Sequence, residues 1–343
     1  MTAVEAPAGG PRHLDVSIVI PTCGRPQLLE RCLMALLAQT LARERFEIIV
    51  VDDGHDSRCR DRVHAIAALE GAPRLRYLCP IRGKGPAVAR NCGWRAATAP
   101  VVAFTDDDTR PETGWLRLGL TAMVRHPEWV AASGRVRVPP VTRRRRGVHR
   151  APTDHEWMTR GLETAEFVTA NAFVRRAALA TIDGFDERFR RPWREDSDLQ
   201  FRLETLGPVG HATRALVWHP VRPERWGVSL RQQRNVFFDA LLYRKHPALY
   251  RSRIRRVPPW DYYAIVASTL VAAAMAGTGL IGAATMPMAG ALVLVLRLAA
   301  QRLLHTSRAP AHVAEMLCTS AAIPFLSVYW RLRGAWHFRT PFL

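Results

Sequence analysis

The strongest constraint on the fold lies in residues 101–108, VVAFTDDD, where an apolar, strand-favouring run empties into Thr105 and three consecutive carboxylates, Asp106, Asp107 and Asp108. Such a run reads as a strand buried on both faces, the habit of parallel sheets covered by helices. Open sheets of that kind bind ligands in the crevice beyond the carboxyl ends of their strands. Adjacent carboxylates repel one another and stay ionised together only beside a cation or a ring of donors. Their hard oxygens suit Mg2+ or Mn2+, and Mg2+ is commonly shared between carboxylates and the phosphates of a substrate. An acidic turn in water would account for the same three residues if they stood alone.

They do not stand alone. Residues 16–20, VSIVI, form a first strand closed by Pro21 and Gly24, and leucines at helical spacing follow from Pro26 to Gln39. A second strand, 47–51, ends in Asp52, Asp53 and Gly54. A helix over 59–69 and a third strand over 75–78 come next, and the glycine-rich loop Gly83, Lys84, Gly85, Pro86 opens a helix over 87–97. Strands alternating with helices through short links argue for parallel βαβ units in a doubly wound sheet. The second and fourth strands then deliver acidic groups to one sheet edge, so that Asp53 and the 106–108 triple can face a common crevice. Asp followed by Gly is also a common turn pair, which leaves Asp52 and Asp53 a second explanation.

Taken in this order and spacing, VSIVIPTCGRP, IIVVDDG, GKGPAVARNCG and VVAFTDDDTRP resemble the nucleotide-sugar half of the family 2 glycosyltransferases, which have the GT-A fold. The likeness runs over about 15–225. It implies that Pro21, Thr22 and Asp53 lie at the nucleotide of the donor and that Lys84, Arg90 and Asn91 form the loop beside it. It also implies that Asp106, Asp107 and Asp108 are the DXD motif, with Asp106 and Asp107 toward the nucleotide and Asp106 and Asp108 toward a divalent ion. Lys84 offers a point charge, and the flanking glycines let backbone approach a phosphate closely; a surface turn is the alternative.

Beyond a helix over 113–125 and a strand over 130–138, the chain enters a stretch with little periodicity, expected as a loop to about Glu166 and carrying Arg143 to Arg146. Four arginines make either a solvated run or a contact to phosphate or anionic lipid. A strand over 167–174 carries one amide, Asn171, and a helix over 176–181 leads to GFDERF and then WREDSDL. Sugar transfer needs a base for the acceptor hydroxyl, and Glu195 and Asp196 are candidates. Asp196 could equally cap a helix over 197–206 with a buried stripe of Leu199, Leu203 and Leu206. These two motifs resemble the acceptor side of the family, in which Asp196 would be the general base of an inverting transfer and Glu195 would orient it or touch the acceptor. Asn171 and Trp193 are expected to line the acceptor site, where Trp193 either stacks on a sugar face or simply fills the core. His219 stands 23 residues after Asp196, past a strand over 212–218. That spacing resembles members in which a histidine completes the metal site; a loop histidine is the plainer alternative. The region 230–235, LRQQRN, lacks the tryptophan of polymerising members, which favours non-processive addition.

From Tyr262 to Leu296, 35 positions carry no charge. A single helix of that length would be about 52 Å long, against a bilayer core of about 30 Å. Gly277, Gly279, Gly282 and Pro287 offer places to break it, so two spans are expected near 262–280 and 284–303, with Arg297 and Arg302 snorkelling at the interface. Arginines before the first span and after the second place both ends in the cytoplasm. An interfacial or re-entrant helix is expected over 313–330. Formal net charge is +19, and 47 of 49 basic residues are arginine, an excess that favours phosphates or an anionic membrane face as partners. Six scattered cysteines without ligand spacing suit a reduced compartment, and the first fifteen residues lack the apolar core of a secretory signal.

The fold class that follows is α/β of GT-A type, a Rossmann-like, mostly parallel sheet with helices on both faces, plus C-terminal membrane helices. A flexible N-terminus is expected over 1–14, the transferase domain over 15–257 in halves 15–138 and 139–257, and the membrane region over 258–343. The function that fits is a metal-dependent, inverting, non-processive glycosyltransferase using a nucleoside diphosphate sugar and Mg2+ or Mn2+. Its acceptor would be lipid-linked or a cell-envelope polysaccharide, its partners would include membrane lipids and no nucleic acid, and its place the inner membrane with the catalytic domain cytoplasmic. A sugar-phosphate nucleotidyltransferase would explain the carboxylates alone, and a polyanion-binding protein the charge alone.

Overall fold

The computed structural model describes residues 14–140 and 150–343; the arginine run at Arg143 to Arg146, His149 and the N-terminal expectation lie outside the described residues. In chain order the strands are β1 (Val16–Thr22), β2 (Phe46–Asp52), β3 (Arg74–Leu78), β4 (Val101–Phe104), β5 (Arg110–Pro111), β6 (Ala131–Arg137), β7 (Ala172–Arg175) and β8 (Val209–Trp218). The helices of the same region are α1 (Pro26–Leu37), α2 (Ser57–Ala67), α3 (Pro86–Ala96) and α4 (Trp115–Arg125), then, after α5 (Asp154–Thr159), α6 (Arg176–Thr181) and α7 (Glu195–Leu203).

Packing divides the chain into two units, one of residues up to 139 with 160–220, the other of 140–159 with 221–343; residues 221–257 thus group with the C-terminal helices, not with the sheet. The first unit is one eight-stranded sheet in the order β3-β2-β1-β4-β7-β6-β8-β5. Its first half, β3 through β4, is parallel, whereas β7 runs antiparallel to both β4 and β6. Alternate residues of the central strands separate two cores. Ile18, Ile20, Ile48, Val50 and Ala103 pack with α1, α2 and α4, while Val19, Ile49, Val51, Val102 and Phe104 pack with α3, α6 and α7. That period of two, buried on both sides, is why these runs carry no polar alternation. On the second face Gly93 lets α3 approach closely, since a Cβ there would stand 2.3 Å from Val19.

Local details depart from expectation for identifiable reasons. Strand β1 does not stop at Pro21 but runs through it to Thr22, because pairing with β4 ends at Val19 and Phe104 and leaves that side of the ladder open for a residue without an N–H. The expected strand at 167–174 is instead a 3-10 turn at Thr169–Asn171 followed by β7. Helix α7 ends at Leu203, so Leu199 and Leu203 are buried while Leu206 is exposed. The stretch expected as loop holds α5 and a 3-10 turn at Arg160–Glu163.

The second unit continues with α8 (Val228–Gln232), α9 (Val236–Lys245), α10 (Pro247–Leu249), α11 (Trp260–Gly277), α12 (Ile281–Leu303) and α13 (Pro310–His337). The break falls at 278–280, among the glycines. By length and composition, α12 and α13 are the helices apolar enough to cross a membrane. The segment expected as re-entrant is therefore one continuous 28-residue helix, α13, with Pro324 inside it. Leu292 and Val293 on α12 and Leu270 and Val271 on α11 are exposed, as a face turned to apolar surroundings would be. Arg302 does not snorkel. Its guanidinium donates to Asp154 (2.7 Å), Ser229, Thr319 and Ser320, so it ties α5, α8 and α13 to the end of α12.

Candidate active site

Parallel pairing of β1, β2 and β4 brings their carboxyl ends to one edge, Thr22 lying opposite Asp52 in register. The two aspartates after β2 divide the explanations offered for them. Asp52 is the turn residue: buried, it accepts from the N–H groups of Gly54 and Asp56 and from the Tyr77 hydroxyl. Asp53 reaches across to the glycine loop and accepts from the N–H of Gly85 at 2.7 Å. Gly85 has φ 114°, and a Cβ there would meet the Arg190 carbonyl at 2.8 Å, so only glycine closes this link. Lys84 beside it is exposed.

The acidic triple splits by side. Asp106, Asp108 and His219 each present a ligand atom, and these atoms lie within 4.8 Å of one another. His219 arrives from the end of β8, held by its N–H to the Arg137 carbonyl; its Nε2 stands 3.6 Å from Asp108 Oδ1, and its buried Nδ1 makes no hydrogen bond among the described residues. Two carboxylates and an imidazole suit Mn2+ or Mg2+. Asp107 turns the other way. It is fully buried, accepts the Thr22 hydroxyl at 2.6 Å and pairs with Arg25 at 3.1 Å. Burial raises its pKa to about 7 against the opposing pull of Arg25 and Thr22. The turn is set by Thr109, whose hydroxyl donates to the Asp106 carbonyl and meets that of Thr105.

Arg90, one turn into α3, is almost fully buried and joins the two sides. Its Nη2 donates to Asp106 at 2.9 Å and its Nη1 to Glu195 at 3.1 Å. Burial opposes its charge, but Asp106, Asp196 and Glu195 together raise its pKa. Burial would raise Asp106 as well, yet Arg90, with His219 and Arg25, holds it below the usual carboxylate range. Glu195 is pushed up to about 8, by burial first and then by the charge of Asp196, against Arg90.

Asp196 is not a helix cap. The residue before α7, Arg194, has φ 73°, a left-handed turn that starts the helix abruptly and places both Glu195 and Asp196 in its first turn. The Asp196 carboxylate accepts from the Thr169 hydroxyl at 2.7 Å and the Thr169 N–H at 3.2 Å. Burial raises its pKa, while Arg90 and Thr169 oppose the rise.

Several expected site residues serve the scaffold instead. The Asn171 amide is wholly buried: Oδ1 accepts from the Trp115 indole, and Nδ2 donates to the Arg135 and Ala215 carbonyls, so no acceptor reaches it. Asn91 likewise holds Phe185 through both backbone groups and accepts the Trp94 indole. Pro21 and Thr22 are buried, and Asp107 has no exposed surface for a nucleotide. Trp193 is half-buried, with the Arg194 guanidinium 4.6 Å from its ring. Sequence reasoning missed Arg25 and Thr169. Neither type is distinctive, and only the pairing of distant segments gives them carboxylates to hold.

A crevice of carboxylates at the ends of parallel strands, on a mixed sheet covered on both faces, is the arrangement of the GT-A class. Residues 17–183 match the family model for glycosyl transferase family 2. The chain is 29% identical over 280 residues to the validoxylamine A glucosyltransferase of Streptomyces hygroscopicus subsp. jinggangensis, covering 70% of this chain and 63% of that protein. It is 31% identical over 232 residues to the pre-mycofactocin glycosyltransferase of Mycobacterium tuberculosis, covering 64% of this chain and 45% of that protein. The mannosyltransferase PcManGT from Pyrobaculum calidifontis, solved in complex with GDP-Man and Mn2+, shares the fold with a TM-score of 0.55 at 17% identity, over 97% of this chain and 90% of that one. Residues 17–183 thus form a glycosyl transferase family 2 domain, and the chain spans less than two thirds of the length of these curated relatives.

Proposed function

We propose that the protein transfers a glycosyl group from a nucleoside diphosphate sugar to an acceptor hydroxyl in a single, inverting displacement. One observation carries the reading: Arg90 bridges a carboxylate of the metal-ligand set, Asp106, to the acidic pair at the head of α7, so that two kinds of carboxylate face one crevice.

The roles follow from position and charge. Asp106, Asp108 and His219 would hold a divalent cation, which supplies Lewis-acid neutralisation of the departing diphosphate. Asp53 fixes the Gly85 backbone beside Lys84, whose ammonium would meet a phosphate of the donor. Asp196 takes the proton of the acceptor hydroxyl as the acceptor oxygen bonds to the anomeric carbon and the bond to the diphosphate breaks. Its two bonds from Thr169 aim the carboxylate, and its raised pKa makes it a better base than a solvated aspartate. Glu195, holding its proton to about pH 8, neither competes for the cation nor repels the base strongly.

The exposed apolar helices of the second unit support a membrane setting and a lipid-linked or cell-envelope polysaccharide acceptor. The test is a panel of nucleoside diphosphate sugars incubated with the purified full chain and Mn2+, with lipid-linked sugars as acceptors and nucleoside diphosphate as the readout. Release of pyrophosphate from a nucleoside triphosphate and a sugar phosphate, without nucleoside diphosphate, would assign nucleotidyl transfer instead.

A further inference from the structure

Helix α13 is fastened along most of its length to the segment that carries α8 and α9. Near its start, Glu315 Oε1 accepts the Gly227 N–H just before α8 at 2.7 Å. Further along, the Trp330 ring meets Phe237 edge-on and has the Arg234 guanidinium 6.0 Å away. Gly334 lies so close to α9 that a Cβ there would stand 2.6 Å from the Phe237 carbonyl. Just past the end of α13, the Arg244 guanidinium donates to the Phe338 carbonyl at 2.7 Å. Contact thus passes from 227 and 315, through 237 and 334, to 244 and 338, so the two segments run side by side in one direction.

That companion segment is polar. Arg231, Gln232, Arg234 and Arg244 are exposed on it, and Asp239 is buried within it. An α13 that crossed a bilayer would carry these groups along, at about 3 kcal/mol for each charge taken to the centre. Helix α12 differs. No charge falls between Ile281 and Leu296, Leu292 and Val293 are exposed, and its charged end is tied back by Arg302 to Ser229 of α8 and to Thr319 and Ser320 of α13.

The exposed face of α13 is nevertheless largely apolar. Leu317, Phe325, Tyr329, Leu332 and Trp336 recur at helical spacing over about 28 Å and are 37 to 87% exposed. Arg333 lies 4.9 Å over the Trp330 ring and donates to the Tyr329 hydroxyl at 3.3 Å, so its stem follows the apolar face while its head stays at the surface. Glu315, the one acid of the helix, is engaged by Gly227, and the exposed charges beside the face, Arg333 and Arg339, are positive. Aromatic rings and arginines around aliphatic side chains suit the boundary between acyl chains and headgroups, and positive charge suits anionic headgroups. We propose that α13 lies in the plane of an anionic bilayer, with its face from Leu317 to Trp336 among the upper acyl chains, while α11 and α12 enter the membrane. This placement rests on the membrane setting above and narrows it, because α13 is then no third crossing.

The test is electron paramagnetic resonance on the full chain reconstituted in vesicles of phosphatidylcholine with phosphatidylglycerol. Nitroxides go on Leu317→Cys, Phe325→Cys, Leu332→Cys and, on α12, Val293→Cys, one at a time, with Cys23→Ser and Cys318→Ser removing the exposed native thiols. The three α13 labels should share one shallow depth, within about 10 Å of the headgroups and open to oxygen, while Val293→Cys reads near the bilayer centre. Phe325→Cys as deep as Val293→Cys, with Leu317→Cys and Leu332→Cys about 10 Å shallower, would mean a crossing and overturn the placement. So would α13 labels lying fully in water, or shielded from both oxygen and a water-soluble nickel chelate, the mark of a protein partner on that face. In phosphatidylcholine alone the α13 labels should move toward water, and Arg333→Gln with Arg339→Gln should remove that difference. Equal depth of the unaltered arginines' protein in the two lipids would overturn the anionic assignment. If Val293→Cys also stays in water, or the chain fails to float with vesicles, the membrane setting itself falls and the placement with it.

Discussion

The carboxylates that follow β4 and those that head α7 share one guanidinium but not one proton affinity. Arg90 lies 2.9 Å from Asp106 and 3.1 Å from Glu195, yet Asp106 is held low while Glu195 is raised to about 8. Asp106 is partly open to water and has His219 and Arg25 as further neighbours that favour its ionised form. Glu195 is buried, and its immediate neighbour Asp196 is another acid. Residues of one chemical kind are thus assigned to different work by burial and company, an ionised set ready for a cation and a set that holds or takes a proton.

The sharpest way to test that division is Asp196→Asn. Turnover should fall by roughly 10² to 10⁴ with donor affinity unchanged, as seen by comparing nucleoside diphosphate release with calorimetric titration of the donor. If the two sides were one functional set, both would fall together. Next in size is Arg90→Ala, which leaves Asp106 and Glu195 without their common cation and should cost about 3–5 kcal/mol of stability in denaturant unfolding. Arg90→Lys should restore only part, since a single ammonium cannot fork to both carboxylates. Asp108→Asn and His219→Ala should abolish the Mn2+-dependent rise in Tm and weaken donor binding at least about tenfold, leaving stability in chelator near normal.

The contrast also has a pH signature. Glu195 holds its proton more tightly folded than unfolded, so this contribution to stability is complete below the ordinary glutamate range and is lost as pH rises toward about 8. In chelator, Tm should therefore drop by several degrees between about pH 5 and pH 8.5, and Glu195→Gln should flatten the slope. Buried Asp107, raised to about 7, acts in the same direction and leaves a residual slope in that variant. The smallest effect expected is that of Lys84→Ala. An exposed point charge contributes up to about 1 kcal/mol, a few-fold change in donor affinity, and a larger loss would make the glycine loop more than a phosphate cradle.

Much of this division is legible in the sequence, but unevenly. The 106–108 triple and Asp53 stand out because acidic groups at the ends of apolar runs are improbable without a purpose, and the Glu195–Asp196 pair stands out by its resemblance to the family's acceptor-side motif. Asn171 misled, being a single polar residue in an apolar strand-like run; its partners, Trp115, Arg135 and Ala215, come from three other segments. Asn91 misled in the same way, as a hinge between α3 and Phe185. Arg302, expected at a lipid surface, found Asp154, which lies 148 positions earlier in the chain.

Local pattern by itself determined the parallel half of the sheet, the two-faced burial of its strands, the glycine break near 278 and the edge to which the acids are delivered. These depend on periodicity and on turn chemistry, and both act between near neighbours. Tertiary structure alone decided which of three adjacent aspartates turns away, that Arg90 lies between two acidic groups, and which amides became struts. Those outcomes depend on desolvation and on partners brought together from distant segments, and neither quantity exists until the chain has closed on itself.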